Sequence, residues 1–110
     1  MTVKPNFRAF VEGQLSQIVD VRSRAMFGGV GIYGDGLFFA IIAGEQVYFK
    51  VDDSTRPDYE RCGWQPFRPF DDDRVMQYYE IPLELLENPP RLRPWVEKAI
   101  ETARAAKKGK

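Results

Sequence analysis

The chain has no histidine, a single cysteine and no net charge, with 16 Lys and Arg against 16 Asp and Glu in 110 residues. Without an imidazole there is no Ser-His-Asp or Cys-His catalysis, no histidine-ligated metal and no imidazole pH switch. One cysteine, Cys62, makes neither an intrachain disulfide nor a cysteine-cluster metal site, and it fits a reducing compartment. The zero balance argues against a strongly basic nucleic-acid binder. The longest wholly apolar run, Leu37 to Ala43, is far short of the roughly 20 residues that span a bilayer. No apolar stretch follows Met1 to Asn6, so no secretory leader is expected. The expectation is a soluble cytoplasmic protein with no membrane contact, no metal and no cofactor.

What is present is globular. Hydrophobic residues make up 44% and charged residues 29%, enough apolar surface to build a core rather than a disordered chain. The length suits one domain that buries about two-thirds of its unfolded surface. Residues 1–106 read as that domain and 107–110 as a frayed basic tail. The net zero divides unevenly: residues 1–50 carry five cations and four anions, 51–90 four and ten, and 91–110 seven and two. Neutrality is therefore a cancellation between an acidic middle and a basic end.

Phe7, Phe10, Val11, Leu15 and Ile18 recur at helical steps, with Gly13 as a weak point. From Val19 to Phe27 the period falls to two, which predicts a strand. Gly28-Gly29-Val30-Gly31 interrupts it, a second strand resumes through Tyr33, and Gly34-Asp35-Gly36 marks a tight hairpin. Leu37 to Ile42 is apolar on both faces, so it is expected to be central and covered by helices. Val47 to Val51 alternates again. Asp52-Asp53-Ser54 offers cap oxygens to a helix over about 54–62, and Cys62 beside Tyr59 reads as a small buried residue. Trp64 to Phe70 reads as a loop or edge segment packed by its rings, and Val75 to Ile81 as a strand. One helical turn fits residues 82–87. Asn88-Pro89 caps a last helix with Leu92, Trp95, Val96, Ala99, Ile100 and Ala103 on its core face. Pro94 implies a kink or a separate first turn there. The predicted fold is α+β, a two-layer sandwich of an antiparallel meander sheet with helices.

Four groups of residues are candidates for chemistry. Successive glycine amides at Gly28, Gly29 and Gly31 can cradle a phosphate or small ligand. The following Ile32-Tyr33, however, fits neither a phosphate loop nor a dinucleotide fingerprint, and a bend between strands is the simpler reading. Asp52-Asp53 and Asp71-Asp72-Asp73 have carboxylates suited to a divalent cation but lack EF-hand spacing. Tyr48, Tyr78 and Tyr79, beside Lys50 and Arg74, make a ring-bearing sheet surface of the kind that stacks single-stranded nucleic acid; packing of the rings into core and edge is the competing reading. Arg91, Arg93, Lys98 and Arg104 form a basic face on the last helix, suited to a phosphate backbone, an acidic protein or plain solvent. No catalytic constellation is found.

Arg24-Ala25-Met26-Phe27-Gly28-Gly29-Val30-Gly31-Ile32-Tyr33, Leu37-Phe38-Phe39-Ala40 and Val47-Tyr48-Phe49-Lys50-Val51-Asp52 resemble the amino-terminal domain of the TfoX (Sxy) family. Pro66-Phe67, Met76-Gln77-Tyr78-Tyr79-Glu80-Ile81-Pro82 and Leu92-Arg93-Pro94-Trp95 extend the resemblance through the chain. Gln77 and Arg68-Pro69-Phe70 depart from the commoner family patterns. The resemblance implies a two-layer domain similar to secretion chaperones and a stand-alone copy of the amino-terminal domain. It also implies a link to regulation, since two-domain relatives control natural competence with the cyclic-AMP receptor protein at promoters. It supplies no catalytic residues. The expected function is a non-enzymatic regulatory or adaptor module that binds a protein partner, with a homodimer as one form. Nucleic-acid association through the basic helix is the alternative, and a ligand at Gly28-Gly29 the third reading.

Overall fold

A computed structural model of the chain describes residues 3–26, 28–68 and 76–108. Its elements run α1 (Pro5–Leu15), β1 (Val21–Met26), β2 (Gly29–Gly34), β3 (Leu37–Ala43), β4 (Gln46–Lys50), α2 (Arg56–Arg61), β5 (Tyr78–Ile81), α3 (Leu83–Leu86) and α4 (Pro89–Lys108). The strands form one antiparallel sheet in the order β1-β2-β3-β4-β5. Every strand lies beside its neighbour in sequence, so the meander and the α+β class read from the residues are what the chain adopts.

Turn chemistry sets the register. Asp35 and Gly36 both take positive φ, 52° and 80°, the twist that a two-residue hairpin between right-twisted strands requires. Where β2 meets β3, the register slips between Ile32 and Tyr33, so that Ile32 pairs with Ala40 and Tyr33 with Phe38. Phe39 is the extra residue of a bulge. In consequence Phe39 and Ala40, adjacent in sequence, are both fully buried in the main core.

That core lies between the sheet and the helices. Ile32, Phe39, Ile42, Val47, Phe49 and Ile81 from the strands meet Val11 and Leu15 of α1 and Leu92, Val96, Ala99 and Ile100 of α4. The Phe39 and Phe49 rings meet edge to face at 5.4 Å. α4 crosses β3 and β4 with the face its sequence spacing predicts. Its start is capped by Asn88, whose side-chain oxygen accepts from the Arg91 amide at 3.3 Å.

Five expectations change. β3 is central, but the described helices cover only one of its faces; the other is met by aromatic side chains. α4 runs through Pro94 as one helix, so the separate first turn is not formed; Pro90 and Pro94 are both exposed, so water can replace the bond that Pro94 removes. α2 starts at Arg56 rather than near Ser54, because Asp52 Oδ1 accepts from the Ser54 and Thr55 amides in a turn ahead of it. Those hydrogen bonds, led by the one from the Ser54 hydroxyl, hold the Asp52 carboxyl below its ordinary pKa. Cys62 is exposed, not buried: Tyr59 takes the inward side of this short helix and Cys62 is left at its C-cap. The strand expected over Val75–Ile81 is formed at Tyr78–Ile81; Val75 lies outside the described residues.

Two glycines separate backbone need from mere tolerance. A Cβ on Gly29 would lie 2.7 Å from the Ile42 carbonyl oxygen, a backbone atom with no freedom to move aside, whereas one on Gly13 meets nothing within 4 Å. Gly13→Ala is expected to raise stability by up to about 1 kcal/mol through helix propensity. Gly29→Ala is expected to lower it by about 1–3 kcal/mol through overpacking. Urea unfolding of the two variants beside the parent checks both signs.

Candidate functional site

Strand alternation sends Val30, Ile32, Phe49 and Ile81 to the helices and their neighbours to the other side. Register then aligns Tyr33 with Phe38, Ile41 with Tyr48, Lys50 with Tyr78 and Tyr48 with Glu80 on that second face. No described helix lies on it. Gly31, next to Arg24 on β1 and Ile41 on β3, leaves a trough that the Met26 side chain occupies; a Cβ there would lie 2.5 Å from Met26 Cε and 3.1 Å from Phe38 Cε1.

Rings pave the rest of the face. Tyr33 and Phe38 stack at 5.2 Å, Phe38 and Tyr78 lie 6.1 Å apart, and Tyr48 meets Phe67 at 4.6 Å. Phe67 arrives from the segment after α2, where Pro66 bridges Tyr79 and the Phe67 amide donates to the Tyr78 carbonyl at 2.8 Å. Phe67, Tyr78 and Ala43 form a small second core, with Ile41 and Tyr48 packed partly buried against it. Lys50 Nζ sits 5.2 Å from the centre of the Tyr78 ring, within cation–π range. Burial raises the pKa of both hydroxyls, helped by Glu80 at Tyr48 and by Tyr33 at Tyr78, so the rings present neutral hydroxyls. Arg22 and Arg24 stand exposed at the β1 margin, and among the described residues neither meets a carboxylate within ion-pair distance.

Of the residues singled out from sequence, Met26, Gly31, Tyr48, Lys50 and Tyr78 share this face. Tyr79 does not: it pairs with Phe49 on the helix side, and its hydroxyl donates to Glu60 at 3.0 Å. Gly28, at φ 79°, turns the chain from β1 into β2, and Gly29 begins β2 against Ile42, which is the geometry of a bend. Phe27, Arg74 and the Asp71–Asp73 run lie outside the described residues. Sequence reasoning missed Tyr33, Phe38 and Ile41 as members of the face. The signal was present, because a two-residue hairpin at Asp35-Gly36 sets Tyr33 opposite Phe38.

The basic face of α4 belongs to the other layer, with the sheet between it and Tyr48 and Lys50. Arg93 lies 4.0 Å from Glu97, Lys98 3.5 Å from Asp58 and Arg104 3.2 Å from Glu101, while Arg91 is exposed. Among the described residues the acidic middle and the basic end thus form an ion pair at Asp58 of α2, which also pairs with Arg61. Beside it, a shallow cleft of about 360 Å³ between α2 and α4 is lined by Asp58, Tyr59, Cys62, Trp95 and Lys98, among others. Tyr59 packs against Trp64, Trp95 and Tyr79. Its buried hydroxyl has no hydrogen-bond partner among the described residues. Among the described residues no three His, Cys, Asp or Glu side chains gather to hold a metal ion.

A sheet clothed by helices on one side and by its own rings on the other defines a small α+β module whose distinctive surface is a sheet face, not a cavity. The model of the TfoX N-terminal domain matches residues 13–103, a stretch that contains all five strands and the whole ring-bearing face, and the chain belongs to that family. No curated protein matches the chain.

Burial, and next the Asp58 charge, raise the Tyr59 pKa far above its ordinary value. The unfolded chain ionises this phenol near 10 and the folded chain only well above that. Its contribution to stability is therefore complete below pH 10 and lost as pH rises past it. Tyr59→Phe is expected to leave stability unchanged or higher at pH 7, since it removes an unpartnered buried hydroxyl. It is also expected to lose less stability than the parent between pH 9 and 11. Urea unfolding at those three pH values tests both parts.

Proposed function

We propose that this TfoX N-terminal domain is a small, non-enzymatic regulatory or adaptor module that acts by binding another protein through the helix-free face of its sheet. The observation that carries this reading is the face itself, with half-buried Met26, Tyr33, Phe38, Ile41 and Tyr48 contiguous across four strands and no described element laid over them. Contiguous apolar surface of this kind, edged by charge, is what association sites present. Membership of the family favours a part in transcription or competence regulation. The reading needs no cofactor. A cytoplasmic location belongs to it, and no described helix is long and apolar enough to cross a membrane.

A second reading has one observation in its favour: Arg22, Arg24 and Lys50 stand beside the rings, and a single-stranded nucleic acid uses stacking platforms and cations together. The protein reading is preferred because Tyr33, Phe38, Tyr78, Tyr48 and Phe67 spend their ring surface largely on one another.

Amine-reactive cross-linking of a captured partner tests the choice of face. Cross-links are expected at Lys50, and Tyr33→Ser with Phe38→Ser should abolish capture while circular dichroism remains that of the parent. Cross-links confined to Lys98 and Lys107, indifferent to the two substitutions, would sink the reading. A single-stranded oligonucleotide whose retention on the protein falls steeply with salt and depends on the same rings would replace it with the second.

A further inference from the structure

The two margins of the sheet differ. Along β5 the segment before it closes the edge: Gln65 accepts from the Glu80 amide at 3.0 Å, Pro66 bridges Tyr79, and the Phe67 amide donates to Tyr78. β1, the first strand of the order, has no strand beyond it among the described residues. The Asp35 amide donates to the Asp20 carbonyl at 3.1 Å, which makes that opposed pair a hydrogen-bonded one. Alternation along the unbroken β1–β2 register makes Arg22, Arg24 and Met26 hydrogen-bonded with β2 as well. Val21, Ser23 and Ala25 therefore turn their amides and carbonyls away from the sheet, and no described backbone group outside the sheet receives them.

The side chains at this edge have a sign. Arg22 and Arg24 point to the ring-bearing face, exposed and without a carboxylate partner among the described residues. On the helix side Arg8 and Glu12 neutralise each other locally: Arg8 donates to Ser23 Oγ at 2.9 Å, and Glu12 accepts from the same hydroxyl and lies 3.8 Å from Arg8. A second copy of β1 laid antiparallel about Ser23 would set each arginine opposite an arginine, which is unfavourable in a cross-strand pair. A strand with carboxylates at those positions would meet both guanidiniums, each a planar fork suited to a carboxylate.

We propose that β1 is a docking edge for an extended acidic segment of a partner protein. The segment adds antiparallel to the sheet, exchanges backbone hydrogen bonds with Val21, Ser23 and Ala25, and sets alternate Asp or Glu side chains against Arg22 and Arg24. This names the partner chemistry for the face proposed above and rests on that reading. Backbone pairing supplies affinity whatever the sequence, and the two arginines supply the choice of sequence.

The probe is a short fluorescent peptide alternating glutamate with valine and threonine, titrated by polarisation against the whole chain. Binding is expected, weakened about tenfold or more by Arg22→Glu with Arg24→Glu, and absent for the same peptide with lysine in place of glutamate. Ala25→Pro removes one outward amide at a position where an edge strand tolerates proline, and it too should weaken binding. Circular dichroism of each variant confirms the fold. In an amide-resolved NMR titration, shifts should concentrate on Val21, Ser23 and Ala25. Equal affinity for parent and both variants overturns the proposal. So does a concentration-dependent dimer that excludes the peptide and is lost with Ala25→Pro, or an oligonucleotide bound at β1 in preference to the peptide. Shifts confined to Tyr33, Phe38 and Tyr48 overturn the edge while leaving the face reading standing; partner cross-links confined to the helix layer overturn the face reading itself.

Discussion

β3 is the strand on which the described structure is arranged, because it is apolar on both faces and the described helices lie on only one. Seven consecutive apolar residues must leave water on two sides at once. On the helix side Leu37, Phe39, Ala40 and Ile42 are buried together, a feat that strict alternation does not permit and that the bulge at Phe39 makes possible. On the other side Ile41 and Ala43 fall to the rings of Tyr48, Tyr78 and Phe67. Aromatic side chains do there what a second helical layer does in doubly covered sheets, and because rings cover area without enclosing it, the surface they make is both packed and partly open.

The same need explains the loop after α2. Phe67 has to reach the face opposite α2 to cover Tyr48, and hydrogen bonding of the Gln65 and Phe67 backbone along β5 carries it there. That pairing closes one margin of the sheet. The other margin is left to two arginines, a form of edge protection that repels a like copy and still permits an opposite charge. Trp64 remains on the helix side, against Trp95 at 4.8 Å, so a few residues of chain wrap the β5 edge and pack on both layers.

How much of this was legible in the residues depends on which forces act locally. Periods of two and 3.6 marked the helices and strands, and the Asp35-Gly36 hairpin and the Asn88 cap were readable because a turn and a cap are contracts between near neighbours. The core face of α4 was legible for the same reason. What escaped was long-range. No local signal shows that the described helices cover only one side of the sheet, and a run such as 37–43 reads alike whether helices or rings meet it. Tyr48, Tyr78 and Tyr79 looked equivalent until register set Tyr79 against Phe49 and the other two on the far side. The basic face of α4 dissolved into ion pairs partly with its own helix, at Glu97 and Glu101, and partly with Asp58, a residue 40 positions away from Lys98. Cys62 was misplaced because a six-residue helix buries one side chain per turn, and Tyr59 had already taken that place.

The position of α4 in the chain has a consequence for biosynthesis. A ribosome delivers β1 to β4 as a self-pairing meander, each strand meeting the one just made, so most of the sheet can assemble early from short-range contacts. Yet Ile32, Phe39, Ile42 and Phe49 wait for Val96, Ala99 and Ile100, which emerge well after them. During that interval the nascent sheet shows apolar surface on both sides, with α1 and the short α2 and α3 the described helices made before α4. Nascent chains in this condition are the ones that chaperones hold, and the time between synthesis of β4 and docking of α4 is the period in which this domain is most exposed to misassembly.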